Sequence, residues 1–168
     1  RSGELFTLHA LLNSSGENAY EIIRGWEGPN RGIHDFSYET LLFEVKSSIF
    51  LADMRFHIFS PTQLLEIGGK NLYLIHQVFS WDTSGISINN LINNVKKTLA
   101  GNQGSISVFE ELISLCGYHE MHHDHYESDD LKLSHIKSDA YDVTDDFPKV
   151  LASDTHPSVQ VHGYSIEV

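Results

Sequence analysis

The chain has 168 residues, 40% of them hydrophobic, which suits one globular domain with a real core. Its formal net charge of −12 argues against gripping nucleic acid through bulk positive potential. No apolar run approaches the length of a membrane span, no signal-peptide layout opens the chain, and the single cysteine excludes an intramolecular disulfide.

The charge is uneven. Residues 1–119 carry 8 basic and 12 acidic side chains, whereas residues 120–168 carry 3 and 11. The acidic C-terminal part is expected to face away from a duplex or towards a basic partner. Cys116 falls on an apolar helix face and reads as an inert core residue, and a reducing cytoplasm is the natural compartment. The first residue is Arg1, directly at a helix, so an upstream part is expected, making this the C-terminal part of a longer protein.

In chain order, Leu5, Leu8, Leu11 and Leu12 with Phe6 form a helical stripe over about 3–13. Glu4 sits in its first turn, where the helix dipole favours a carboxylate. Ser14-Ser15-Gly16-Glu17 reads as a capping box for a second helix ending near Trp26, with Ile22, Ile23 and Trp26 inward. Gly28-Pro29-Asn30-Arg31-Gly32 is a loop, in which Arg31 is a solvated charge or a phosphate contact.

Leu41 to Ser47 alternates as a strand, with Leu41, Phe43 and Val45 on one face and Leu42, Glu44 and Lys46 on the other. Asp35 opens the extended run before it, so an antiparallel pairing brings Asp35 beside Glu44 and Lys46. Two carboxylates suit a hard cation such as Mg²⁺, with the Val45 carbonyl as a third ligand. Lys46 could position or deprotonate a water or steady a phosphate charge, which together describes metal-assisted phosphodiester hydrolysis. Taken alone, a Glu-x-Lys pair is more often an ordinary solvated strand face.

A second strand is expected over about 52–59, with Met54, Phe56 and Ile58 on one face. Arg55 and His57 share the other and would flank Glu44 if the two strands are neighbours. Ser60-Pro61-Thr62-Gln63 starts a short helix with Ser at the N-cap, Pro at N1 and Gln63 as a capping partner, ended by Gly68-Gly69. Asn71 to Trp81 is apolar enough for a central strand, and Asp82-Thr83-Ser84-Gly85 turns the chain. Ser87 caps an amphipathic helix closed by Gly101, and Ser107 with Glu110 starts another, stopped by Gly117.

His119-Glu120-Met121-His122-His123 matches a zinc-protease pattern, but that chemistry requires both histidines on one helix face. The segment begins just past a helix stop, so a protease is disfavoured and adventitious zinc or nickel binding is the better reading of 119–125. Leu131, Leu133, Tyr141 and Val143 suggest two strands with a polar interruption. Val159 and Val161, a bulge at Gly163, then Tyr164, Ile166 and Val168 suggest an antiparallel addition.

Set in order, the chain reads Gly3-Glu4-Leu5-Phe6, Trp26-x-Gly28-Pro29, His34-Asp35-Phe36, Phe43-Glu44-Val45-Lys46, His57-Ile58-x-Ser60-x-x-Gln63-Leu64, Leu72-Tyr73-Leu74 and Phe147-Pro148. This ordered set resembles a bacterial family of unknown function whose members carry the PD-(D/E)XK nuclease motif, with His34 in place of the motif proline. The resemblance spans essentially the whole chain. It implies a restriction-endonuclease-like α/β fold, a mixed central sheet flanked by helices over about 1–100, and a C-terminal α+β extension over about 101–168 within a single domain. It further implies a Mg²⁺- or Mn²⁺-dependent nuclease in a restriction or anti-phage system. DNA and other defence proteins, such as an ATPase or methyltransferase, would then be the partners, with no membrane involved. In the resembled superfamily an acidic residue on the first helix reaches the metal, which puts Glu4 beside Asp35, Glu44 and Lys46; Gln63 belongs to the family pattern. A non-catalytic interaction subunit that keeps the fold is the alternative.

Overall fold

The computed structural model describes residues 1–14, 18–49, 55–128, 131–154, 156 and 158–167. Helix α1 spans Ser2–Ser14 and α2 spans Ala19–Arg24. Strands β1 (Phe36–Ser37), β2 (Leu41–Ile49), β3 (Arg55–Ile58) and β4 (Asn71–Ile86) follow. Helices α3 (Ile88–Thr98), α4 (Gln103–Leu115) and the single turn α5 (His123–Tyr126) lead to β5 (Leu133–Asp142) and β6 (Tyr164–Glu167).

Among the described residues the strands form a four-stranded sheet ordered β1-β2-β4-β5 and a two-stranded sheet of β3 and β6. β2 and β4 run parallel, pairing Glu44 with Leu74 and Lys46 with His76; β1 and β5 are antiparallel additions on either side. The protein is therefore a mixed α/β domain, as expected.

The two faces of the main sheet pack differently because side chains alternate along a strand. Val45 joins Leu5, Leu8, Ile23, Trp26, Leu91, Val95 and Phe109 in a helix-covered core. Leu42, Leu72 and Leu74 instead meet Phe56, Ile58, Leu64 and Ile166, so the small β3–β6 sheet lies against the second face. Residues 101–168 supply α4 to the first core, β5 to the main sheet and β6 to the second layer.

Several expectations are corrected. The strand containing Arg55 pairs with β6, not with β2. The expected capping residues Ser15, Gly16 and Glu17, together with Ala52, Met54 and Val168, lie outside the described residues. The N-cap of α2 is Asn18, whose side chain accepts from the Tyr20 N–H. Helix α4 starts at Gln103, four residues before Ser107, because the Asn102 side chain caps it through the Ser105 N–H. The segment after Ser60 is a 3₁₀ turn ending at Leu64 rather than a helix running to Gly68.

The predicted turn at 82–85 is an excursion within β4: both Trp81 and Ile86 pair with Leu133. Asp82 closes it by accepting from the Ser84 N–H at 2.9 Å, and Gly85 is required there because a Cβ would lie 2.6 Å from the Leu133 carbonyl. The two strands expected after Leu131 are one ten-residue strand, β5, since its partner β4 is long enough to satisfy it throughout. Residues 159–163 form no strand.

Candidate functional site

β1 is only two residues long, so among the described residues β2 has no strand partner on that side beyond Phe43. The Asp35 side chain takes over where β1 gives out: its Oδ2 accepts from the Val45 N–H at 2.8 Å. This is the antiparallel approach expected from sequence, with Phe36 opposite Phe43 in register. Helix α1 then reaches the same edge. A Cβ on Gly3 would collide with the Ser47 hydroxyl and lie 3.3 Å from Val45, so glycine permits the first turn of α1 to sit directly on β2. That contact delivers Glu4, whose Oε2 accepts from Trp26 Nε1 at 3.0 Å and from Arg1 Nη1 at 2.8 Å. Gly28 completes the packing, because a side chain there would strike the Glu4 carboxylate and lie 3.2 Å from Asp35 Oδ1.

Glu44 and Lys46 share one face, one pleat apart, and are ion-paired at 2.8 Å. Gln63 Oε1 accepts from Lys46 Nζ at 3.2 Å and from the Phe59 N–H at 2.9 Å, so Gln63 links the amine to the 3₁₀ segment rather than serving only as a cap. The ammonium also stands 5.3 Å above the Phe59 ring. Glu44, Gln63 and the Phe59 ring together fix the Lys46 amine at one point of the site.

Asp35, Glu44, Lys46, Glu4 and Gln63 all line one cavity of about 600 Å³, with Val45 in its wall. Arg1, Arg31 and Arg55 line it too, as do His57 and Phe59. Half of the eight basic residues in the first 119 thus meet at one place, despite the acidic total. A larger groove of about 920 Å³, lined by Tyr38, Thr40, Phe43 and Lys70, contains none of the five.

The carboxylates are electrostatically strained. Burial, then repulsion from Glu4, raises Asp35 to about 6, although the Val45 N–H, Lys46 and Arg1 oppose this. Burial and then Asp35 raise Glu44 to about 8 despite Lys46. Glu44 Oε2 is buried with no hydrogen-bond partner. Buried, mutually repelling carboxylates with an unsatisfied oxygen have the chemistry of a hard-cation donor set. Among the described residues no three Asp, Glu, His or Cys side chains converge as a ready-made cage. An ion held here would complete its shell with water and backbone oxygen, as Mg²⁺ commonly does.

Sequence reading missed two contributors. His34 is buried, hydrogen-bonded to the backbone of Leu65 and Gln63, and kept neutral chiefly by burial; it ties the approach to β1 to the segment bearing Gln63. Ser48 extends the Glu44–Lys46 face into the cavity and lies 2.8 Å from Nε2 of the buried His76. The alternation read over Leu41 to Ser47 stops one residue short of Ser48, and the partnership with His76 required the β2–β4 register. Arg55 and His57 reach the cavity from β3 without strand pairing to β2.

The His-rich segment stands apart. His119 has extended backbone (φ −130°, ψ 131°) and precedes a 3₁₀ turn, so His119 and His123 do not share a helix face. Its side chains are exposed.

A mixed α/β domain whose second strand carries Glu-x-Lys beside an aspartate at the end of a short antiparallel strand has the layout of a PD-(D/E)XK-type domain. The chain belongs to the family described as "Putative PD-(D/E)XK family member, (DUF4420)", whose model matches residues 2–168. Comparison with curated proteins gives no match, and comparison with solved structures gives none. Among the described residues no helix is long and apolar enough to cross a membrane.

Proposed function

We propose that this chain is a Mg²⁺- or Mn²⁺-dependent DNA endonuclease of a bacterial restriction or anti-phage system, acting in the cytoplasm. The observation that carries the reading is the convergence of Asp35, Glu44 and Lys46 on one cavity, with both carboxyl groups held above their ordinary range. Asp35 and Glu44, with the Val45 carbonyl, would hold the ion, and Glu4 would support them. When bound, the ion supplies Lewis-acid polarisation of the phosphate and a more acidic water. Lys46 stabilises negative charge developing on the phosphate oxygens, and Gln63 holds Lys46 in place. Arg31 and Arg55 offset the acidic remainder of the molecule at the cavity wall.

The direct test incubates plasmid DNA with wild type, Asp35→Ala and Lys46→Ala in Mg²⁺ or Mn²⁺. Wild type should nick or linearise the plasmid, and each variant should lose at least about a hundredfold in rate. A wild type that cuts neither the plasmid nor a single-stranded circle, or variants that cut equally well, removes the catalytic assignment.

Proton competition gives a second expectation. Ion binding requires ionised Asp35 and Glu44, whose folded values are about 6 and about 8. Mg²⁺ affinity should therefore rise from pH 6 to pH 8 and level off above, with protons released on binding. Calorimetry in two buffers of different ionisation enthalpy measures both quantities. A flat profile over that range places the ion elsewhere.

The alternative is a non-catalytic subunit that keeps the nuclease fold for protein contacts. The closed Glu44–Lys46 ion pair and the −12 charge favour it. Co-purification with a defence ATPase or methyltransferase, without metal-dependent cleavage, would select it.

A further inference from the structure

We infer that the cavity takes an unpaired nucleotide, with its base stacked on Phe59 and its phosphate near Lys46, so that single-stranded nucleic acid is the preferred ligand. This deepens the nuclease reading and rests on it. Phe59 is 68% exposed, yet it is fixed rather than loose. Its N–H is tied to Gln63 Oε1, the oxygen that also holds Lys46. The Lys46 ammonium lies 5.3 Å from its ring centroid, and the His57 ring meets it edge-on at 4.6 Å and 85°. His57 is itself backed by Gly163, where an added Cβ would lie 3.4 Å from His57 Nε2. The result is an aromatic surface with two supports, open to solvent at the mouth of a cavity that basic side chains share with the Glu4, Asp35 and Glu44 carboxyl groups.

The occupant follows from chemistry. The phosphate that Lys46 would meet and the base attached to its sugar are separated by about one nucleotide's reach. In a duplex that base is stacked inside the helix, and a side chain at the backbone touches only sugar and phosphate. An unpaired base can turn out and offer its face to Phe59. Stacking also suits an acidic protein, since it owes nothing to net charge. Arg31 and Arg55 line the same cavity and suit the flanking phosphates. A cavity of about 600 Å³ fits one extruded nucleotide rather than a duplex segment.

The test is fluorescence anisotropy with labelled twelve-nucleotide oligo-dT and oligo-U, and with the dT·dA duplex, in EDTA so that no strand is cut. Wild type should bind at least one of the two single strands about tenfold or more tighter than the duplex. Phe59→Ala and Phe59→Leu should each lose roughly ten- to hundredfold for that strand, and Phe59→Trp should restore it. Phe59 is exposed, so these variants should melt like wild type. Equal or tighter binding to the duplex overturns the proposal, as does a Phe59→Leu protein that binds like wild type, since packing area without a π face would then suffice. Metal-dependent cleavage of plasmid and of a single-stranded circle is read on the same wild-type preparation. Cutting without Phe59-dependent strand preference overturns this inference alone. Phe59-dependent preference without cutting overturns catalysis and leaves the binding site standing.

Discussion

Glu44→Gln should make the protein more stable at pH 8.5 while removing its metal affinity. Glu44 is 2% exposed, and its folded value of about 8 lies well above the ordinary 4.5. Between those two values the folded protein retains a proton that the unfolded chain has released, so this group makes stability fall as pH rises from about 4.5 to about 8. Above that window both states carry the charge and the penalty is complete. Lys46 attracts the carboxylate, but the raised value means that burial and Asp35 outweigh it. Glutamine keeps the shape and removes the charge. The expected gain is about 2 kcal/mol at pH 8.5, or roughly 4–8 °C in Tm for a domain of this size, fading towards pH 5. Mg²⁺ affinity and plasmid cleavage should fall together in the same variant. Opposed changes in stability and function mark a site held in strain for its task. A Glu44→Gln protein that melts lower than wild type at pH 8.5 would show that the Lys46 pair dominates and that Glu44 is there for structure.

Trp26→Ala should cost about 3–5 kcal/mol and leave little folded protein at 37 °C. Trp26 is fully buried and lies between Phe36 and Phe109, with ring centroids 6.5 and 6.3 Å away. It therefore joins β1 to α4, and through Nε1 it holds the Glu4 carboxylate on α1. Trp26→Phe separates the two roles. It keeps most of the packing and loses only the N–H, which should cost about 1–3 kcal/mol by leaving a buried carboxylate oxygen short of a donor. Chemical denaturation of both variants measures this. If Glu4 supports the ion, Trp26→Phe should also weaken Mg²⁺ binding in protein that is still folded. A Trp26→Ala cost below about 1 kcal/mol would show that the first core does not depend on this ring.

Much of the local structure was legible in the chain because it depends on neighbours in sequence. The alternation of Leu41 to Ser47 placed Glu44 and Lys46 on one side of a strand. Ser87 and Gly101 marked the bounds of α3, and Gly117 stopped α4 with φ 84°. Turn and cap residues were less reliable where several candidates compete. Asn102 caps α4 ahead of Ser107, and the Asp82–Gly85 turn signal became an excursion within a strand because β5 continues the ladder on its far side.

By itself, the sequence determined the mixed α/β composition, the faces of β2 and the family pattern through Asp35, Glu44 and Lys46. The first two rest on short-range periodicity and steric preference, whereas the family pattern rests on a resemblance in the order of motifs along the chain. Only the tertiary structure decided which distant groups meet: Glu4 on Trp26, Gln63 on Lys46, His76 on Ser48, and the Arg55 strand on β6 rather than β2. The raised carboxyl values were equally invisible in the chain, since they come from burial and repulsion across elements far apart in sequence. Those long-range contacts depend on which surfaces pack together, and one strand's alternation is compatible with more than one neighbour.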